Sequence, residues 1–420
     1  MGRGLYTLLL ACAMPLVLAR LWWRGRREPG YRRHVAERFG WYRERATKPV
    51  IWVHAVSVGE VRAAAPLVRA IAERWPDCRV LVTCMTAAGR DAAEQVYGES
   101  ARVAFLPYDL PSSTRRFLEW FRPRVGILME TEVWPNLIAA CGEHGVPVML
   151  ANARLSEKSS LGYARRPRLF GPAFAALAAV CAQTDADAAR LRERGATGAR
   201  TTGNIKFDVM PDPARVAEGR EAAQRLDRPA IVLASTRERE EEPLLDAARA
   251  LGDACAIVLV PRHPQRFDAV AALVEAAGLR LARRSTWDGA PPPDALAADV
   301  WLGDSMGELP LYYASAQVAL LGGSFAPLGG QNLIEAAACG CPAVVGQHTF
   351  NFLQATADAI AAGAALRVDD ADGLAAAISR ALDDADELGE MRAAALRFAV
   401  AHRGATARMV ALIRAAITTG

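Results

Sequence analysis

From about residue 50 onward, short apolar runs alternate with stretches in which apolar positions recur every three or four residues. The runs Val50–Val53, Val80–Met85, Val103–Leu106, Val125–Met129, Val146–Leu150 and Ala179–Ala182 are apolar on both faces. That is the pattern of strands buried in a parallel sheet, and amphipathic stretches such as Glu60–Arg74 predict the covering helices. The alternation stops near Asp208. Residues 209–229 read as a linker and lead-in, and a second series follows at Ala230–Ala234, Ala256–Val260, Leu279–Leu281, Val300–Leu302, Val318–Leu321 and Ala343–Val345. From about Asn351 the chain is Ala-rich and helical to its end. The expected fold is α/β, with a Rossmann-like domain at 46–208 and another at 230–420, and with no repeat between them in sequence. Two such units facing each other form a cleft at the carboxyl ends of their strands, so functional side chains should follow strands.

One stretch does not fit the alternation. Leu5 to Trp23 is nineteen residues without an acidic group, and as a helix it reaches ~28 Å, enough to cross a hydrocarbon core. Trp22 and Trp23 suit an interface, Arg20 can snorkel to it, and the arginines that follow suit the cytoplasmic side. Residues 1–45 read as a membrane anchor with a basic juxtamembrane segment. The alternative is a signal peptide cleaved near Val17-Leu18-Ala19, but positive charge follows the apolar run instead of preceding it.

Charge sharpens this division. Ten arginines against Glu28, Glu37 and Glu44 put residues 1–45 at +7, so the remaining 375 residues carry −3 of the overall +4. A body of that charge excludes a nucleic-acid-binding protein, which wants a basic face, and fits a protein held at an anionic membrane surface. With 52% hydrophobic residues, 23% charged and a mean hydropathy of +0.08, the rest is a packed globular protein, not a disordered or multi-spanning one. The eight cysteines form no CxxC pair and the six histidines do not join them at zinc spacing, which points to buried free thiols and no metal site.

Several strings follow predicted strands. His54-Ala-Val-Ser57-Val-Gly59-Glu60 opens a helix. Ser57 and Glu60 stand at the spacing of a capping box, and Glu60 is equally placed to act as a general base with Gly59 admitting a substrate. Met129-Glu130-Thr131-Glu132-Val133-Trp134-Pro135-Asn136 puts two carboxylates directly after a buried strand; Thr131 and Glu132 also suit a helix start. Asn152-Ala-Arg154-Leu-Ser156-Glu157-Lys158 and Gly203-Asn204-Ile-Lys206-Phe-Asp208 contain two of the three lysines, the third being Lys48, in a chain whose other basic residues are all Arg. Such bias marks Lys158 and Lys206 as places where a compact ammonium is wanted, or as chance survivals.

In the second half, Ser235-Thr236-Arg237-Glu238 resembles a helix cap, and Pro261-Arg262-His263-Pro264 presents an arginine to an anion. Gly303-Asp304-Ser305-Met306-Gly307-Glu308-Leu309 leads into a helix whose N–H groups suit a phosphate. The glycine-rich loop Gly322-Gly323-Ser324 to Gly329-Gly330-Gln331-Asn332-Leu333-Ile334-Glu335 has the same capacity, with Glu335 placed to bind a ribose diol; alternatively the glycines form a turn and Asn332 and Glu335 cap a helix. No GxGxxG or GxxxxGK[ST] loop occurs, which argues against dinucleotide and P-loop NTPase chemistry.

As an ordered set, HAVSVGE, METEVWPN, NARLS, GNIKFD, PRHPQRF, GDSMGELP and GGSFAPLGGQNLIEAAACGCPAVVG resemble the Kdo transferases. These glycosyltransferases move 3-deoxy-D-manno-oct-2-ulosonic acid (Kdo) from CMP-Kdo onto the lipid A precursor at the bacterial inner membrane. The resemblance covers nearly the whole chain, and its last part also looks like the nucleotide half of GT-B glycosyltransferases. It implies a GT-B fold and an inverting, metal-independent transfer without a cofactor, with CMP-Kdo and the lipid A precursor (lipid IVA) as partners. It places the general base at Glu60 and transition-state stabilisation at Glu130 and Lys206. Donor binding falls on Arg262, His263, Met306, Gly307, Glu308, Asn332, Leu333, Ile334 and Glu335. At a helix N-terminus Glu60 is expected to keep a low pKa and to be ionised at neutral pH. The competing classes are another membrane-associated GT-B sugar transferase, a UDP-sugar epimerase, and a non-catalytic lipid-binding protein.

Overall fold

The computed structural model describes residues 1–43, 45, 47–249, 254–369 and 371–419. Among the described residues, fourteen strands form two sheets. In the first lie β1 (Val50–His54), β2 (Arg79–Cys84), β3 (Ala101–Phe105), β4 (Pro123–Met129), β5 (Val148–Ala153), β6 (Ala179–Ala182) and β7 (Ala199–Thr201). In the second lie β8 (Ala230–Thr236), β9 (Ala256–Pro261), β10 (Leu281–Arg283), β11 (Val300–Leu302), β12 (Val318–Leu321), β13 (Ala343–Val345) and β14 (Ala365–Arg367). The orders are β3-β2-β1-β4-β5-β6-β7 and β10-β11-β9-β8-β12-β13-β14, and both sheets are parallel. Strand order therefore reverses between β1 and β4 in one and between β8 and β12 in the other, the places where ligand-binding loops of such sheets gather.

The strands are apolar on both faces because each sheet is covered twice. Trp52 and Leu128 point into a core with Phe117 and Phe121, while their neighbours Ile51, Val53, Ile127 and Met129 point into a second core with Leu67 and Ile71, as the two-residue period of a strand requires. The second unit has a core of Leu233, Leu259, Val274, Val300 and Leu320.

Chain contacts divide the molecule into residues 1–209 with 403–420, and residues 210–402. This differs from the sequence expectation at two places. Most of the presumed linker is the helix Pro213–Arg225, which packs on the helix Leu309–Ser315 and so belongs to the second unit. The contact is close: a Cβ on Gly219 would meet Leu311 O at 2.2 Å. The final helix, Ala405–Thr419, expected in the second domain, returns to the first. Its stripe Ala405, Met409, Ile413 and Ala416 is buried in the core of Leu67 and Ile71, and the Asp208 carboxylate accepts from Gly404 N and Thr406 N at 2.7 and 2.6 Å, fixing its start. β14 also interrupts the helical end of the chain.

At the N-terminus, α1 (Arg3–Arg24) is the apolar helix. The segment after it is folded, not a free linker. Arg38 is buried, its guanidinium 3.8 Å over the Phe105 ring and donating to Met85 O at 3.1 Å. Glu37 accepts from Phe105 N at 2.8 Å and pairs with Arg90.

Candidate active site

Glu60 lies in the first turn of α2 (Val58–Arg74), which leaves β1 at the strand-order reversal. Ser57 is the N-cap residue, but its hydroxyl caps no helix N–H; it donates to Glu60 Oε1 at 3.0 Å, and Val56 N donates to Oε2 at 2.9 Å. Neither bond of the reciprocal capping box is made, since Glu60 reaches past Ser57 N to Val56 N, and the carboxylate is held by its own turn. The low pKa expected for Glu60 is not found. Burial pushes it up to about 7, the negative charges of Glu130 and Glu132 push the same way, and the bonds from Val56 and Ser57 oppose them only in part. Desolvation outweighs the helix dipole here.

Upstream in the same string, His54 is fully buried at the end of β1. Its Nδ1 lies 2.9 Å from both Thr83 O and Thr83 Oγ1, and burial pushes its pKa down to about 4. It is a neutral scaffold residue.

Glu130 follows β4 directly. It takes a left-handed φ of +54°, with its N–H bonded to Ala151 O at 2.8 Å. Asn152 on β5 is also left-handed, at +55°. Such backbone in non-glycine residues costs energy and concentrates at functional sites. The Asn152 side chain accepts from Ile205 N at 3.0 Å, and Asn204 accepts from Lys206 N at 3.0 Å, so the short turn Ile205–Asp208 that carries Lys206 is fixed at its start and packs against α2. Thr131 donates to Arg154 O, tying the strings after β4 and β5 together. Glu60, Glu130, Glu132 and the turn of Lys206 are therefore neighbours, whereas Lys158 is exposed on the helix Glu157–Ala164.

In the second unit, Arg262 and His263 follow β9, with Arg262 N donating to Thr236 O at 2.9 Å. The His263 imidazole is pushed down by desolvation and then by the positive charges of Arg237, Arg262 and Arg266. This cationic cluster at the carboxyl ends of β8 and β9 suits an anionic ligand.

The glycine-rich loop is built differently from a phosphate cradle. Gly323 N donates to both oxygens of Glu240 at 2.8 and 2.7 Å, and Ala326 N donates to it at 3.1 Å. Arg237 N adds a further bond at 3.0 Å. Glu240 is 2% exposed, and it takes the anion's place. Gly322 has to be glycine, since a Cβ would lie 2.4 Å from Ser235 O. Sequence reasoning missed Glu240 and read Ser235-Thr236-Arg237-Glu238 as a helix cap. The helix begins at Glu241, and Glu238 stays largely exposed.

Met306 is exposed and Gly307 left-handed at φ +86°. Glu308 is instead enclosed by Arg284 at 2.9 Å, Arg215 at 3.0 Å and the Ser305 hydroxyl, so its carboxylate shapes the loop. Asn332 accepts from Ile334 N at 3.2 Å and caps the helix Leu333–Ala338. Leu333 and Ile334 are 1% exposed, which leaves only their backbone to offer a ligand. The helices at Leu309 and Leu333, whose first turns are expected from sequence to face a phosphate, have seven and six residues. Among the described residues no cluster of three His, Cys, Asp or Glu side chains is placed to hold a metal.

Residues 33–209 match the family model of 3-deoxy-D-manno-octulosonic-acid transferase (kdotransferase), and residues 298–398 that of glycosyl transferases group 1. A 3-deoxy-D-manno-octulosonic acid transferase of Bordetella pertussis is 48% identical over 428 residues, covering 97% of this chain and 98% of the relative. The chain belongs to the 3-deoxy-D-manno-octulosonic acid transferase family. A second family member, from Haemophilus influenzae, is 37% identical over 84% of both chains. As a member the protein is a glycosyltransferase, and its two parallel seven-stranded sheets are those of the GT-B fold. Solved structures of the same fold include Anabaena Alr3699/HepE with UDP (TM-score 0.61, 13% identity, 87% of this chain and 99% of that one) and a UDP-GlcNAc 2-epimerase from Neisseria meningitidis (TM-score 0.59, 15% identity, 87% and 99%).

Proposed function

We propose that this transferase moves Kdo from CMP-Kdo onto the lipid A precursor (lipid IVA) by a single inverting displacement that needs no divalent ion, with Glu60 as general base. The observation that carries this reading is the Glu60 carboxyl, raised to about 7 beside Glu130 and Glu132. A base of that pKa is ionised often enough at neutral pH and takes a proton more readily than an ordinary carboxylate. As the acceptor oxygen bonds to the anomeric carbon, its proton passes to Glu60 and the bond from that carbon to the phosphate oxygen breaks, releasing CMP. Glu130 offers negative charge to a transition state of oxocarbenium character, and Lys206 pairs with the donor's carboxylate or phosphate. The leaving phosphate is received by Arg262 and His263, with the backbone of Met306 to Glu308 and Asn332 to Glu335 completing donor binding. Family membership and the activity that names its members support the donor sugar. The apolar α1 supports attachment to the cytoplasmic face of a bacterial inner membrane.

The test is to incubate purified full-length protein with CMP-Kdo and tetraacylated lipid A precursor in EDTA. Mass spectrometry should show the acceptor gaining Kdo. No gain with or without added divalent ions overturns the assignment, and a gain only with them overturns the metal-independent step.

A further inference from the structure

Two faces run the length of α1. On one, Tyr6, Thr7, Leu10, Met14, Val17 and Leu21 follow each other at three- and four-residue steps and are half-buried or, for Met14, buried. The helix α1 touches the helices Pro135–Glu143 and Pro167–Ala175. On the other, Leu5, Leu9, Leu16 and Trp23 are 51%, 53%, 74% and 61% exposed. A helix crossing a bilayer alone would meet lipid all round, and its two ends would lie ~33 Å apart along the membrane normal. Here both ends touch one folded unit.

The contacts at the first end are polar and specific. Tyr6 OH donates to Asp109 Oδ2 at 3.0 Å, and Asn136 Nδ2 donates to Thr7 Oγ1 at 2.9 Å. Arg3 stands 3.9 Å from Glu143. Asp109 and Asn136 are 2% and 4% exposed, and Asp109 also accepts from Asn136 N and Leu137 N. At the other end, Arg32 donates twice to Trp22 O, at 3.3 and 3.0 Å, with its guanidinium 4.1 Å over the Trp22 ring. Withdrawing α1 into a spanning position would strip Asp109 and Asn136 of these partners and uncover the stripe from Leu10 to Leu21.

We infer that α1 lies in the plane of the membrane, its outer face in the lipid and its inner face on the first unit. The occupant of the outer face is an anionic bilayer, because the exposed leucines and tryptophans are flanked by Arg20, Arg24, Arg26 and Arg27. The docking point gives this arrangement its purpose. Asp109 and Asn136 hold the start of the helix that follows the Glu130–Trp134 string, so the first turn of α1 is tied to the segment that carries Glu130 and Glu132. A lipid acceptor that keeps its acyl chains in the leaflet then presents its sugar hydroxyl to Glu60 at the depth set by α1.

This inference rests on the membrane attachment proposed above, and three measurements on the full-length chain separate the two. Wild-type protein should co-sediment with phosphatidylethanolamine/phosphatidylglycerol vesicles; failure sinks the attachment itself. In native membranes, an Arg3→Cys/Glu143→Cys variant carrying Cys12→Ser should be cross-linked intramolecularly by bismaleimidohexane, whose length spans two long side chains that meet at their ends. Gly2→Cys in the same Cys12→Ser background should stay unlabelled by an impermeant maleimide in intact cells and become labelled after permeabilisation. Vesicle binding without the cross-link, or labelling of Gly2→Cys from outside, overturns the in-plane helix and leaves the attachment standing.

Discussion

Glu60 and Glu240 occupy matching places in the two units, each a few residues beyond the first strand of its sheet and each at the reversal of strand order. Their surroundings are opposite. Glu240 accepts from Arg237, Gly323 and Ala326, donors that come from another loop as well as its own, and its charge is spent on holding the glycine-rich loop to the strand end. Glu60 accepts from two groups of its own turn and faces two more carboxylates. A carboxylate saturated by donors from elsewhere in the chain is part of the frame. One that is buried among like charges is held ready to take a proton.

Glu60→Gln tests the comparison most severely. Turnover should fall by ~10²–10⁴, the usual contribution of a general base, while CMP-Kdo still raises the melting temperature. The variant should melt no lower than the parent at pH 8, because a native carboxyl raised to about 7 from 4.5 loses stability as pH rises through that window. A variant that still transfers Kdo, or that unfolds, would erase the distinction. Glu240→Ala should do the reverse. It strands the buried N–H groups of Gly323 and Ala326 and lowers the stability of the second unit by ~3 kcal/mol, read by denaturant unfolding, with loss of donor binding. Melting like the parent would show that Glu240 is not part of the frame. Asp208 shows that the criterion is where the donors come from and not the unit, since it too is held from elsewhere in the chain, by Gly404 and Thr406. Asp208→Ala should cost ~1 kcal/mol, as for other helix caps, with kcat close to the parent's below the melting range.

The fold is legible in the sequence because a short run apolar on both faces is stable only where a sheet is covered twice, and helices between such runs supply the covering. The two strands missed, β7 and β14, are three-residue edge strands with one buried residue each, so no apolar run marks them. Sequence alone puts the last helix in the wrong unit because an Ala-rich stripe does not say which core it fills; the deciding contacts come from Asp208, almost two hundred residues earlier. In the candidate site, Glu60 and Glu130 stand out because each sits in a string after a strand, and Lys206 because it is one of three lysines. The run Arg237-Glu-Arg-Glu240-Glu-Glu242 hides Glu240. Four acidic residues beside a helix start look like a solvated first turn, and only the packing of the glycine-rich loop against β8 singles one of them out.

The smallest expected effect separates the two forces that raise Glu60. Its pKa of about 7 places an acid limb in the pH profile of kcat/KM, which should rise through pH 7 as the base loses its proton and level off above. Burial is the larger cause and the charge of Glu130 a smaller one. Glu130→Gln removes that negative charge without opening the pocket, so ionised Glu60 becomes easier to form and the limb should move to lower pH, whatever the loss in kcat. Added salt should move the wild-type limb the same way, but less, because the carboxylates are shielded from solvent. A limb unchanged in Glu130→Gln would mean that burial alone sets the base, and that like charge has no part in the contrast with Glu240.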